Sequence, residues 1–212
     1  MSSWWGTRRS RYSVERARTR ARSTLAPLAL ALALAGCSLF RGSPPETFDL
    51  SGPQAIPKGG GSTAAQLLVP ESTAIKVLDT ERIVVTSGPK ISYYPAAQWP
   101  DRLPKLFQAR AIEAFDRSKR ARAVGRPGEG LSIDYQVQTD IRSFEYRADL
   151  REAHVEVFAR VLDDRTGRVV ATRLFSADSP VGADKAPSVV AGVQSALDKV
   201  LVALVRWTGG QI

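Results

Sequence analysis

The residues able to do chemistry in this 212-residue chain are few and far apart: one histidine (His154), one cysteine (Cys37), an adjacent aspartate pair (Asp163 and Asp164) and a glycine-rich run, Gly125-Arg126-Pro127-Gly128-Glu129-Gly130. An imidazole can serve as a general base, but His154 alternates with Glu152 and Glu156 on the polar side of an apolar-alternating run, so the plain reading is a solvated surface histidine. A zinc site needs several nitrogen or sulfur ligands, and a single His is a poor start. The aspartates lie in Asp163-Asp164-Arg165-Thr166-Gly167, where acidic residues are favoured because they bond to the turn's own backbone. The glycine-rich run lacks the Lys-Ser/Thr ending of a phosphate-binding loop and reads as a turn before a strand. No Gly-x-Ser-x-Gly elbow presents a serine nucleophile. The expectation is a non-enzyme with no metal and no cofactor.

That leaves Cys37, whose chemistry is positional. Eleven apolar residues, Leu25 to Ala35, run into Leu34-Ala35-Gly36-Cys37, which resembles a bacterial lipobox. Arg8, Arg9, Arg11, Arg16, Arg18, Arg20 and Arg22 supply the positive segment of a secretory signal, and the small Ala35 and Gly36 suit a peptidase that must grip the backbone beside the cysteine. A transmembrane helix would need about 20 apolar residues, and polar and breaking residues bound this run on both sides. A non-lipidated signal peptide stays open as an alternative, as does translation starting at Val14. The expected organisation is a signal peptide over 1–36, a lipidated N-terminus and linker over 37–45, and a folded domain over 46–212.

Removing residues 1–36 takes away seven Arg and one Glu, so the formal net charge of +9 falls to 23 basic against 20 acidic residues, near +3. The basic character is therefore mostly an address label, and with no aromatic-interleaved basic motif a nucleic-acid partner is not expected. An acylated Cys37 cannot enter a disulfide, so the domain must stand on its core alone. The linker through Arg41-Gly42-Ser43-Pro44-Pro45 reaches at most about 30 Å over its eight residues from Ser38.

Within the domain, Thr47-Phe48-Asp49-Leu50 reads as a short strand, and Ala65 to Val69 as another, stopped by Pro70; the Gly59-Gly60-Gly61 run between them is a loose segment. Arg82 to Thr86 and Ile91 to Tyr94, separated by Ser87-Gly88-Pro89, predict a hairpin. Leu103, Leu106, Phe107, Ala111, Ala114 and Phe115 fall on one helical face, with Lys105, Gln108, Asp116 and Lys119 opposite. Trp99 is expected to cap that core; its alternative, with Tyr93 and Tyr94, is an exposed aromatic for a partner. Alternation from Leu131 to Arg142, from Glu152 to Val161 and on to Ser176 predicts three long antiparallel strands. A last helix over Ala186 to Trp207 carries Val190, Val193, Leu197, Val200, Leu201 and Leu204 at helical spacing, with Asp184 placed to cap it and Pro187 tolerated in its first turn. The fold class expected is α+β: an antiparallel β-sheet with two amphipathic helices packed on one face, the other face polar and available for docking.

Several segments in a fixed order carry a resemblance. After the lipobox and Thr47-Phe48-Asp49-Leu50 come Leu78-Asp79-Thr80-Glu81-Arg82-Ile83, then Tyr93-Tyr94 followed by Trp99-Pro100-Asp101-Arg102-Leu103-Pro104, the Tyr135 strand leading to Arg142-Ser143-Phe144-Glu145, and the closing amphipathic helix. Together they resemble the ABC-type transport auxiliary lipoprotein family, the PqiC-like group, over nearly all of the mature chain. The departures are the long basic leader and the Gly-Pro-rich insertion from Ser51 to Thr63.

The resemblance implies a non-catalytic component working with an MCE-domain protein, an ABC permease and an ATPase that move phospholipids or similar hydrophobic molecules between two membranes. It implies lipidation at Cys37, and since the next residue is Ser38 where an Asp would favour inner-membrane retention, an outer-membrane anchor with the domain in the periplasm. Candidate partner contacts are Tyr93, Tyr94 and Trp99, and homo-oligomerisation is left open. Two other classes share these features: a lipoprotein that activates a cell-wall synthase, and a periplasmic lipid carrier with an internal apolar cavity.

Overall fold

The computed structural model describes residues 44–57 and 62–212. The signal segment, the lipobox residues Leu34, Ala35, Gly36 and Cys37 with Ser38, and the triple glycine lie outside the described residues. Among those described, the order is β1 (Glu46–Thr47), β2 (Gln66–Leu68), β3 (Thr73–Ala74), β4 (Arg82–Ser87), β5 (Lys90–Gln98), α1 (Leu103–Ser118), β6 (Ala123–Gly125), β7 (Tyr135–Arg147), β8 (Glu152–Asp163), β9 (Val169–Pro180) and α2 (Ala186–Thr208).

The β7 strand organises the sheet because its alternating apolar residues are long enough to be paired on both edges. One edge forms a continuous antiparallel ladder with β8, from Tyr135 opposite Asp163 to Arg147 opposite Glu152, and β8 pairs in turn with β9. These are the three long antiparallel strands expected. The other edge is tiled by three short strands, β2 at Tyr135 and Gln136, β3 at Asp140 and Ile141, and β4 at Glu145 to Arg147, all parallel to β7. The sheet is therefore mixed, a correction to the antiparallel expectation: α1 carries the chain back across before β7, and such a crossover delivers a parallel neighbour. Side-chain periodicity is the same in either direction.

The β4–β5 hairpin forms as expected around Gly88 (φ +55°) and Pro89, with Ser87 opposite Lys90. An irregularity between Arg82 and Val84 shifts its register, and Ala96 takes a positive φ of 52° on the facing strand. A bulge between Ile141 and Ser143 also resets β7, so that Val137 and Ile141 face inward before it and Phe144 and Tyr146 after it.

Both helices empty their apolar stripes into one core. Leu103, Leu106, Phe107, Ala111, Ala114 and Phe115 of α1 are buried, as are Val189, Val193, Ala196, Leu197, Val200, Leu201, Leu204 and Val205 of α2. They join Val137, Ile141, Val155, Val157 and Ala159 of the sheet in a single cluster. Each fully buried Val, Leu, Ile or Phe side chain among these contributes about 1.5–3 kcal/mol, and each Ala methyl less. By length and composition α2 could cross a membrane, but half of its most apolar window is buried within the fold. Gly192 permits that approach, since a Cβ there would sit 2.7 Å from the Val181 side chain.

Two local expectations change. Gln108 was placed on the polar face of α1 but is buried, because its Nε2 donates to the Val69 carbonyl at 2.8 Å where the short β2 has ended. Asp184 does not cap α2: the N-cap is Lys185, with no side-chain cap bond, and the Asp184 carboxylate instead accepts the Tyr94 hydroxyl at 3.2 Å.

Candidate functional site

The outward face of β7, β8 and β9 carries the one histidine, and the surface reading of that residue is corrected here. His154 is 7% exposed. It points outward, yet it lies between two flanking strands, opposite Glu145 of β7 and Asp178 of β9. Its Nδ1 is 2.6 Å from Asp178 Oδ1. Over this row the Arg147 guanidinium reaches Glu152 at 3.1 Å, Glu145 at 3.4 Å and Asp178 at 3.5 Å. Burial works to lower the Arg147 pKa, but the hydrogen bonds to Glu152 and Glu145 and the Asp178 charge outweigh it and raise it. The arrangement is a clamp across three strands: His154 Nδ1 meets Asp178, and Arg147 bridges Glu145, Glu152 and Asp178. Among the described residues, no group of three or more His, Cys, Asp or Glu side chains is placed to hold a metal ion.

Farther along the same face the side chains change character. Phe158 lies between two guanidinium groups, Arg142 at 4.7 Å and Arg160 at 5.7 Å from its ring centre, and pairs across to Leu174, which is 46% exposed. The sequence reading named this face as a docking candidate without these residues. Arg142, Phe158 and Arg160 come together only through the β7–β8 register, although their alternation within each strand was visible.

The three aromatic candidates separate. Trp99 is 1% exposed and meets Phe144 edge-on at 6.1 Å, so it caps the core and is not presented on the surface, a correction to its candidacy as a partner contact. Tyr93 and Tyr94 are half-buried neighbours on β5. Arg82 stacks over the Tyr93 ring at 4.3 Å. Burial first, and then the Asp184 carboxylate, push the Tyr94 hydroxyl above its ordinary range, which keeps it protonated and donating.

Two of the segments that carried the sequence resemblance dock on each other. Trp99 N–H donates to the Glu81 carbonyl and Leu103 N–H to the Thr80 carbonyl. Arg102 joins Asp79 at 2.6 Å and Glu71 at 3.2 Å, and the Asp79 carboxylate holds its guanidinium further toward the charged form. Asp163 likewise has a turn role: its carboxylate accepts both the amide and the hydroxyl of Thr166 at 2.8 Å, which lowers its pKa, and Asp164 accepts from Gln136.

Two grooves open on the surface. One, of about 330 Å³, runs between Pro70, Glu71 and Thr73 and the β7–β8 residues Gln138, Asp140 and Arg160. A wider one, of about 610 Å³, is walled by Asp49, Asp101, Lys105, Gln108, Arg110 and Arg126. Charged side chains stand in both, Glu71, Asp140 and Arg160 in the first and Asp49, Lys105 and Arg110 in the second, beside apolar lining that includes Pro70, Pro100 and Leu106.

Residues 48–205 match the family described as the ABC-type transport auxiliary lipoprotein component. An uncharacterized protein of Bradyrhizobium diazoefficiens is 32% identical over 164 residues, 76% of this chain and 44% of its own length, so the chain spans less than half the length of that relative. A solved structure from Xanthomonas campestris superposes with a TM-score of 0.72 at 27% identity, covering 78% of this chain and 97% of that one. A hypothetical protein from Chlamydia trachomatis, with a TM-score of 0.53 at 10% identity over 70% of this chain and 98% of its own, shares the fold. The family match takes in the docked Leu78–Ile83 and Trp99–Pro104 segments, the β7–β9 meander and all but the last turn of α2: this chain belongs to the ABC-type transport auxiliary lipoprotein component family.

Proposed function

We propose that the protein is a non-catalytic, lipid-anchored accessory subunit of an ABC transporter that works with an MCE-domain protein to move phospholipids or other hydrophobic molecules between the inner and outer membranes. The observation that carries this reading is the family match across nearly the whole folded domain, from residue 48 to residue 205. The lipobox at Cys37 supplies the anchor, and Ser38 after it favours the outer membrane with the domain in the periplasm. Its action is to hold a docking face near a membrane, where tethering raises the local concentration of that face for its partner without new contacts. The ion pairing of Arg147 with Glu145, Glu152 and Asp178 beside His154 supports a structural role for that cluster.

The test is purification of the full-length protein from its own envelope, with and without Cys37→Ala. The expected result is co-purification with an MCE-domain protein and loss of the transport phenotype when Cys37 is replaced, while the folded domain persists in the soluble fraction. Co-purification with a cell-wall synthase in its place, recovery of stoichiometric lipid in the purified domain, or full activity of the unlipidated form would each overturn the reading.

A further inference from the structure

The geometry points to one end of the sheet, formed by the β4–β5 and β7–β8 turns, as the part of the domain that lies against the membrane, with Ile91 and Leu150 inserted shallowly and Lys90, Arg151 and Lys185 contacting anionic phospholipid headgroups. The inference rests on the lipid anchor proposed for Cys37.

The two turns are physically joined. Ala148 N–H donates to the Thr86 carbonyl at 2.9 Å, and Gly88 N–H donates to the Asp149 carboxylate at 3.4 Å. Each turn presents one large aliphatic side chain beside a cation: Ile91, 57% exposed, follows Lys90, and Leu150, 61% exposed, precedes Arg151. The start of α2 lies at the same end, since Val181 N–H donates to the Arg151 carbonyl, and it adds the exposed Lys185. The acids there are each hydrogen-bonded, Asp149 to the Gly88 and Leu150 amides, Glu152 to the Arg147 guanidinium and Asp184 to the Tyr94 hydroxyl. Three cations and two aliphatic tips with their acids engaged suit an anionic lipid surface, where a shallowly inserted aliphatic side chain and a headgroup contact reinforce each other.

What selects this end over the opposite one is the direction of the chain. The β1 strand runs parallel to β5, with Glu46 opposite Ala97 and Thr47 opposite Gln98, so the chain arrives at Glu46 from the side on which β5 begins, at Lys90. Gln98 lies opposite Arg82 and Lys90 opposite Ser87, so the irregular β5 covers only the five β4 steps between them, about 17 Å at the rise of a strand. The eight residues from Ser38 to Pro45 span at most about 30 Å. The covalent reach of Ser38 to Pro45 therefore exceeds the distance from β1 to the Ile91 and Leu150 tips, and a lipid anchor at Cys37 can be seated at that end of the sheet. The β8–β9 turn at the far end also exposes Val169 and Val170 and carries Arg165 and Arg168, but the linker would have to reverse and run back along β7, from about the level of Ser143 to Tyr135, to bring it to the membrane.

The experiment uses the full lipidated protein in vesicles of phosphatidylethanolamine and phosphatidylglycerol. Because acylation consumes the Cys37 thiol, a label can be placed at one introduced cysteine at a time: Leu150→Cys, Ile91→Cys, and Arg165→Cys at the far turn. Fluorescence quenching by a nitroxide carried on the lipid is expected to be about twofold stronger at positions 150 and 91 than at 165. That difference should shrink when phosphatidylglycerol is omitted or salt is raised. Equal quenching at both ends, or stronger quenching at 165, in protein whose N-terminal peptide is acylated and which floats with the vesicles, overturns this inference and leaves the anchor intact. A mass spectrum with no acyl groups on Cys37 removes the anchor, and the inference falls with it.

Discussion

The two edges of β7 meet their neighbours in different ways. Along one, β8 follows the whole strand and β9 follows β8, joined by short turns that keep partners close in sequence. Along the other, three strands of two to six residues, none adjacent to β7 in the chain, share the edge between them. The long edge is paired from end to end apart from one bulge between Ile141 and Ser143. The tiled edge has gaps, and side chains fill them: Gln108 donates to the Val69 carbonyl, Asp134 accepts the Gln66 amide at 2.8 Å, Ser72 and Thr139 share a buried hydrogen bond of 2.6 Å, and Thr73 donates to Asp140 at 2.9 Å. A broken ladder is tolerable in a core only when every exposed end finds such a partner.

The largest test asks whether the two sides nevertheless form one cooperative unit. Trp99→Ala, on the tiled side, should cost about 3–5 kcal/mol, and Leu201→Ala, on the helix over the meander, about 2–5 kcal/mol. Because both residues belong to one core cluster, each should shift a single unfolding transition. Two separated transitions in chemical denaturation would show that the sides fold apart.

A smaller effect should distinguish them. Gln108→Ala leaves the Val69 carbonyl without its partner, at a cost of about 1–3 kcal/mol. Amide hydrogen exchange should then quicken first in β2 and β6, with β8 protected as before. Uniform loss of protection across both edges would mean that the bond serves the whole core and not the gap.

The smallest expected effect concerns the segment strapped across α2. Gln194 accepts the Ser51 amide, donates to the Ser51 carbonyl and also donates to Asp198. Burial raises the Asp198 pKa, with the Gln194 bond and the Arg117 charge opposing it. A carboxyl whose folded pKa is raised favours folding when protonated, and that advantage is lost as pH climbs through the folded value. Asp198→Asn keeps an acceptor for Gln194 without the charge, so it should be stabilising by about 0.5 kcal/mol at neutral pH. The gain should shrink as pH falls through the folded pKa and vanish below the unfolded one. Thermal denaturation at both pH values checks this, and a gain that grows in acid would reverse the sign.

Legibility in the sequence followed the same division. The β4–β5 hairpin, both helices, the long strands β8 and β9 and the burial of Trp99 could all be read locally, because each rests on a periodicity or a turn residue within about a dozen positions. The β3 and β6 strands could not, being two and three residues long with no period to detect. At the candidate site, the outward alternation of Arg142, Phe158 and Arg160 was visible, but their grouping was not. His154 follows the polar alternation faithfully and is buried all the same, because the strands on either side bring Glu145 and Asp178 against it and Arg147 closes over it.

By itself, then, the sequence determined which of the longer segments become helix or strand, which of their faces are apolar, and that chemistry-bearing residues are scarce. These properties depend on neighbours within one or two turns of the chain. Tertiary structure alone decided strand direction on the tiled edge, the burial of Gln108 and His154, the diversion of Asp184 from its helix to Tyr94, and the end of the sheet from which the chain arrives. Each of those depends on residues tens of positions apart meeting across a ladder or a crossover, and the spacing of side chains along a strand carries no record of which strand will lie beside it.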